Sequence, residues 1–101
     1  MISEIKEALK TVDLETVKPE DMPHYNELSG RTWRRYMRVN GVTFRDMVNQ
    51  ERKRRCLEAL TANPDASFTD LTEACGYRDK ESTQRAFKQW FGMGLKEWQA
   101  Q

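Results

Sequence analysis

Residues 82–98 read Ser82-Thr-Gln-Arg85-Ala-Phe87-Lys-Gln-Trp90-Phe-Gly92-Met-Gly94-Leu-Lys-Glu-Trp98, and residues 32–47 read Thr32-Trp-Arg-Arg35-Tyr-Met37-Arg38-Val-Asn-Gly41-Val-Thr-Phe44-Arg-Asp-Met47. Laid on each other with one residue of difference before the glycine, they match Arg35 to Arg85, Met37 to Phe87 and Arg38 to Lys88. Beyond the glycine, Phe44, Arg45 and Asp46 match Leu95, Lys96 and Glu97. Two copies of one unit therefore lie about fifty residues apart, a repeat on the scale of a supersecondary element. A helix pair joined by a tight turn, with a basic second helix rich in Arg and Gln, is a helix-turn-helix pattern. The chemistry requires those residue types: arginine bonds bidentately to guanine, glutamine to adenine, and flanking lysine or arginine holds phosphate. In the second copy Leu71, Ala74, Gly76 and Phe87 fall at packing positions, with Gly76 supplying the turn. A plain bundle with polar faces would use the same residues, but two copies with basic second helices favour the DNA reading.

Working outward, the apolar residues recur at helical spacing and no stretch alternates as a strand would. Ile2, Ile5, Leu9 and Val12 share one face of a first helix. Pro19 and Pro23 interrupt the next stretch, where Asp21 is expected to cap a short helix that takes Pro23 in its first turn. Ser29 caps a helix to about Val39, which Asn40-Gly41 ends. Thr43-Phe-Arg-Asp46 resembles a capping box opening a long helix to about Ala62 that buries Phe44, Val48, Cys56 and Leu60. After Asn63-Pro64, Ser67 or Thr69 caps a helix through Ala74; another runs from about Lys80 to Trp90, and a last one carries Leu95 and Trp98. The expected fold is all-α, a compact bundle of about seven helices forming one domain over residues 1–101. Within it, a first helix-turn-helix unit over about 13–43 and a second over about 66–99 are joined by a central helix over about 44–62. Such a helix spans roughly 28 Å, close to one turn of duplex.

The charge is distributed unevenly. The net charge is +1, but residues 1–28 carry −4, residues 29–56 carry +7 and the remainder −2. An arginine-biased basic block inside an otherwise acidic chain suits a polyanion, phosphate or guanine above all. A solvated helix face is the plain alternative. With 33% charged residues and no run of about 18 apolar ones, no membrane-spanning helix is expected. The acidic start, Met1-Ile2-Ser3-Glu4, lacks the pattern of a secretory signal, so a cytoplasmic protein is expected. Cys56 and Cys75 are 19 residues apart without a CxxC, and His24 stands alone beside Tyr25. These read as buried thiols and a surface or packing imidazole; no metal, cofactor or disulfide scaffold is expected. No nucleophile, base and orienting group converge and no glycine-rich phosphate loop is present, so no enzyme is expected.

The residues resemble the DNA-binding domain of AraC/XylS-type transcription regulators. The resemblance rests on Leu71-Thr-Glu-Ala-Cys-Gly-Tyr77, then Arg85-Ala-Phe-Lys-Gln-Trp-Phe-Gly-Met93 and Glu97-Trp98. Phe44, Val48, Arg52, Cys56, Ala59 and Leu60 of the central helix and Leu28-Ser-Gly-Arg-Thr-Trp-Arg-Arg35 extend it to about residues 28–99. Two places depart from the pattern. Pro23 and Glu27 stand where an alanine and a glycine are usual, and Thr83 replaces an aromatic or aliphatic anchor of the second recognition helix.

The resemblance implies sequence-specific recognition of double-stranded DNA in successive major-groove segments, by a monomer, for transcription regulation. Arg31, Arg34 and Arg35 would face bases in one segment and Lys80, Glu81, Gln84 and Arg85 in the next, with Arg38 and Lys88 on phosphate. Arg52 would be mainly structural, and Trp33, Trp90 and Trp98 would pack in the core. RNA polymerase or another regulator would be the protein partner, in the cytoplasm of a bacterial or phage-infected cell, on the nucleoid. The sensory domain of larger family members has no counterpart, which suits either a small self-sufficient regulator or an excised piece. Two other readings stay open: a phage or mobile-element DNA-binding accessory factor, and a protein-interaction module on a degenerate helix-turn-helix fold.

Overall fold

A computed structural model describes all 101 residues, Met1–Gln101. It contains six α-helices, a 3-10 helix and no strand. The helices are α1 (Ile2–Leu9), α2 (Gly30–Val39), α3 (Phe44–Ala62), α4 (Phe68–Cys75), α5 (Lys80–Phe91) and α6 (Leu95–Gln99), with the 3-10 helix at Pro19–Asp21. The chain divides into two compact units, Met1–Glu51 and Arg52–Gln101, each with its own apolar core. Helix α3 contributes Met47 and Val48 to the first core and Cys56 and Leu60 to the second.

In the first unit, Ile5 and Leu9 of α1 pack with Leu14, Met22, Trp33 and Met37. Trp33 is the aromatic centre, meeting Tyr25 edge-on at 5.3 Å and Phe44 at 6.2 Å. Helix α2 begins where expected: Ser29 Oγ accepts the amide of Thr32 at 3.1 Å. It ends in a Schellman turn, with Val42 N donating to Met37 O and Gly41 N to Arg38 O. Gly41 sits at φ +70° and Gly92, its counterpart in the repeat, ends α5 at φ +72°. A side chain there would be strained in the left-handed region, so both helix stops depend on glycine. Thr43 Oγ1 accepts the amide of Asp46 at 3.0 Å and so opens α3.

The expected short helix after Asp21 does not form. Asp21 instead closes the 3-10 helix, its carboxylate accepting the amide of Lys18 at 2.9 Å. Met22, ahead of Pro23, is extended at ψ 152°, since the proline ring disfavours the α conformation in the residue before it. Residues 23–27 then make consecutive turns. Among them His24 holds φ +69°, a value few side chains adopt. Its ring is held from two sides, Nε2 on Glu4 of α1 and Nδ1 on Glu27 at 3.1 Å.

Those carboxylates, Glu4 first, raise the His24 pKa above 6.5, while His24 lowers that of Glu4. The imidazolium is therefore favoured in the folded state. Its stabilisation is complete below the unfolded pKa near 6.5 and disappears as pH rises through the raised folded value. The melting temperature of the parent protein should fall from pH 6 to pH 8.5, and His24→Gln should flatten that limb in circular-dichroism melts. An alkaline slope equal to the parent's would refute the bridge.

Candidate nucleic-acid interface

The second unit contains a complete helix, turn and helix. Ser67 and Asp70 start α4 with a reciprocal box: Ser67 Oγ accepts the Asp70 amide at 3.2 Å and Asp70 Oδ2 the Ser67 amide at 3.0 Å. Helix α4 ends at Cys75, one residue later than expected, in a turn through Gly76 and Tyr77. Asp79 then caps α5, its Oδ1 taking the Ser82 amide at 2.7 Å, and that bond holds the Asp79 carboxyl below its ordinary pKa. Helix α5 turns Thr83, Ala86 and Phe87 inward and leaves Lys80, Glu81, Gln84, Arg85 and Lys88 exposed. At 100° per residue Glu81, Arg85 and Lys88 lie nearly opposite the buried stripe, with Gln84 beside them. The face is wide, basic on balance and free of large apolar groups.

Three features fix the orientation of α5. Phe87, fully buried, contacts Phe68 of α4 edge-on at 6.0 Å, Phe91 at 4.6 Å and Trp98 of α6 at 6.3 Å. Gln99 at the end of α6 donates to the carbonyls of Pro64 and Ala66, both at 3.0 Å. Thr83, at the position of the missing aromatic or aliphatic anchor, works by hydrogen bonding: its Oγ1 is 2.8 Å from Thr72 Oγ1 and 3.1 Å from Asp79 O. Thr72 in turn reaches Phe68 O at 2.6 Å. Two hydroxyl protons serve three contacts, and α4 is tied to α5 when either hydroxyl donates to the other in place of its backbone carbonyl.

Other residues singled out in the sequence have structural places. The Arg52 guanidinium lies over the Tyr77 ring at 4.3 Å, in keeping with a structural role. Trp33 is buried, while Trp90 packs between Tyr77 and Phe91, and Trp98 beside Phe87 and Phe91. Cys56 and Cys75 are free, fully buried and near enough for their thiols to hydrogen-bond, a pairing that their spacing did not announce. The Cys56 sulfur and burial push the Cys75 thiol up, so it stays protonated. The Arg52 carbonyl, 3.5 Å from Cys75 Sγ, is an alternative acceptor for that one proton.

In the first unit α2 buries Trp33 and Met37, at the repeat positions of Thr83 and Phe87, and exposes Arg31, Arg34, Arg35 and Arg38. No α-helix lies between Leu9 and Gly30, so turns, not a helix, lead into α2. The four arginines form two rows. Arg31 and Arg35 point away from the core, whereas Arg34 and Arg38 border an apolar pocket of about 500 Å³ formed with Pro19, Trp33, Met37, Val42 and Phe44. The pocket gave no sign of itself in the helical periodicity; Pro23, within an expected helix, was the available signal.

A family profile described as a helix-turn-helix domain matches residues 25–101. The chain is 32% identical over 73 residues to the HTH-type transcriptional regulator VqsM of Pseudomonas aeruginosa, across 72% of this chain and 22% of that protein. It is 28% identical over 81 residues to the ornithine utilization regulator of the same species, across 74% and 24%. The chain thus spans about a quarter or less of these relatives. The crystal structure of the transcriptional regulator CdpR of Pseudomonas aeruginosa matches with a TM-score of 0.78 at 21% identity, over 96% of this chain and 30% of that one. A DNA-binding transcriptional dual regulator of Escherichia coli K-12 matches with a TM-score of 0.82 at 14% identity, over 97% and 93%. Both structural likenesses are of fold.

The hydroxyl chain offers a test of how α5 is held. Thr83→Val keeps the shape and removes the proton donor, so stability should fall by about 1 kcal/mol. In urea denaturation the midpoint should drop with unchanged slope. No change in midpoint would show that the hydroxyls contribute nothing.

Proposed function

Because this chain belongs to the AraC-type family of helix-turn-helix domains, we propose that it binds duplex DNA sequence-specifically and regulates transcription. The observation that carries this reading is the α4-turn-α5 unit, whose second helix is anchored inward by Thr83 and Phe87 and presents Glu81, Gln84, Arg85 and Lys88 outward. Lys80, Glu81, Gln84 and Arg85 read base edges in the major groove, and Lys88 holds phosphate. Helix α2 supplies the second contact, Arg31, Arg34 and Arg35 toward bases and Arg38 toward phosphate, in a neighbouring groove segment. The chain binds as a monomer to an asymmetric site, since Arg31 and Arg34 differ chemically from Glu81 and Gln84, their counterparts in the repeat.

Binding measured on a selected site and on random duplex across a salt series tests this. Arg85→Ala should cost about 1 to 3 kcal/mol and relax base preference, while Lys88→Ala should weaken all sequences alike and lower the salt slope by about one. Equal, sequence-independent losses would count against the assignment, and a salt-insensitive or absent interaction would favour a protein-interaction module.

The turns ahead of α2 support a second reading, in which α5 alone enters the groove. Replacing Arg31, Arg34 and Arg35 together by alanine decides between them. Loss of half the nuclease footprint is expected with two reading helices. An unchanged footprint leaves recognition to α5.

A further inference from the structure

We propose that Glu81 determines the specificity of α5 by selecting a cytosine, at the helix position where its repeat counterpart Arg31 suits a guanine. The inference rests on the DNA-binding reading and adds the identity of one base to it.

The caps and the cores make the two positions equivalent. Ser29 caps α2 by accepting the amide of Thr32, and Asp79 caps α5 by accepting the amide of Ser82, the two pairs lying fifty residues apart. Trp33 and Met37 are buried in α2 as Thr83 and Phe87 are in α5, at the same offset. Arg31 and Glu81 are therefore each the second residue of their helix, and both are exposed. Recognition helices present their N-terminal residues to base edges, so these side chains stand at the reading end.

What differs between them is the direction of hydrogen bonding. A guanidinium only donates and a carboxylate only accepts. In the major groove guanine shows two acceptors, N7 and O6, whereas cytosine shows the N4 amino donor. Glu81 against guanine would lose its water and meet acceptors alone, a costly burial of charge. Adenine has a donor, but N7 beside it is an acceptor, an arrangement that suits an amide side chain. Cytosine is the base that satisfies a carboxylate.

The surroundings leave that carboxylate available. Arg85, one turn on and well placed to neutralise Glu81 along the helix, instead reaches Ser82 Oγ at 3.4 Å. An acid in the first turn also suits the helix dipole. Such an effect changes stability and not base preference, so base preference is the quantity to measure.

Selection of bound duplexes from a random library gives the preferred site of the parent chain, and each C·G pair of that site is then reversed to G·C in turn. At one pair the reversal should weaken the parent about fivefold or more. Glu81→Arg, which gives α5 the side chain of the first unit, should prefer the reversed pair there and keep the other positions of the site. Glu81→Gln, nearly unchanged in shape, should select adenine in place of that cytosine, and it decides the matter if circular dichroism shows the arginine variant unfolded. A site that the folded variants leave unaltered, or an equal gain in affinity for every duplex, would overturn the inference while the DNA-binding reading stands. If the parent chain binds no duplex, the reading itself fails and the inference falls with it.

Discussion

The burial of Phe87 is the contact on which the second helix-turn-helix unit depends. One ring meets Phe68 of α4, Phe91 of its own helix and Trp98 of α6, so three short helices share a single apolar centre. Helices of 8 and 5 residues such as α4 and α6 have little stability alone. Tertiary burial holds them, and with it the direction in which α5 presents Arg85. The caps at Ser67 and Asp79 then set where each helix begins, which fixes the outward residues to within one position.

The two units solve the same packing problem with exchanged sizes. In the repeat register Trp33 corresponds to Thr83 and Met37 to Phe87, each pair four residues apart and buried. The first unit places its large ring at the earlier position and the second at the later one. At the earlier position in the second unit, a small hydroxyl packs because Thr72 and the Asp79 carbonyl give it partners. A threonine buried without them would be costly. In the first unit the large indole fills its position, yet its N–H remains without a partner.

Pro23 accounts for most of the difference between the units. It forces Met22 into extended backbone, and the chain then runs through turns pinned by His24 between Glu4 and Glu27. Leading into α2 with turns instead of a helix accompanies an open pocket along Trp33 and Phe44. It also separates the arginines of α2 into a row facing away from the core and a row beside that pocket. The family resemblance grouped Arg34 with Arg31 and Arg35, whereas its surroundings group it with Arg38.

The all-helical class, the boundaries of α2, α3 and α5, the glycine stops and the exposed face of α5 were legible in the sequence. Each follows from local rules: apolar spacing near 3.6 residues, a cap side chain reaching an amide three residues on, and the left-handed backbone that glycine tolerates. Local rules do not reach contacts made across long stretches of chain. Cys56 beside Cys75, Thr83 beside Thr72 and His24 beside Glu4 are joined by packing between elements. The pocket likewise arises from residues of three segments, Pro19, α2 and the start of α3. Sequence periodicity therefore determined which faces of the helices are polar, and the tertiary structure decided what each polar group meets, because burial and partners depend on neighbours that no single helix contains.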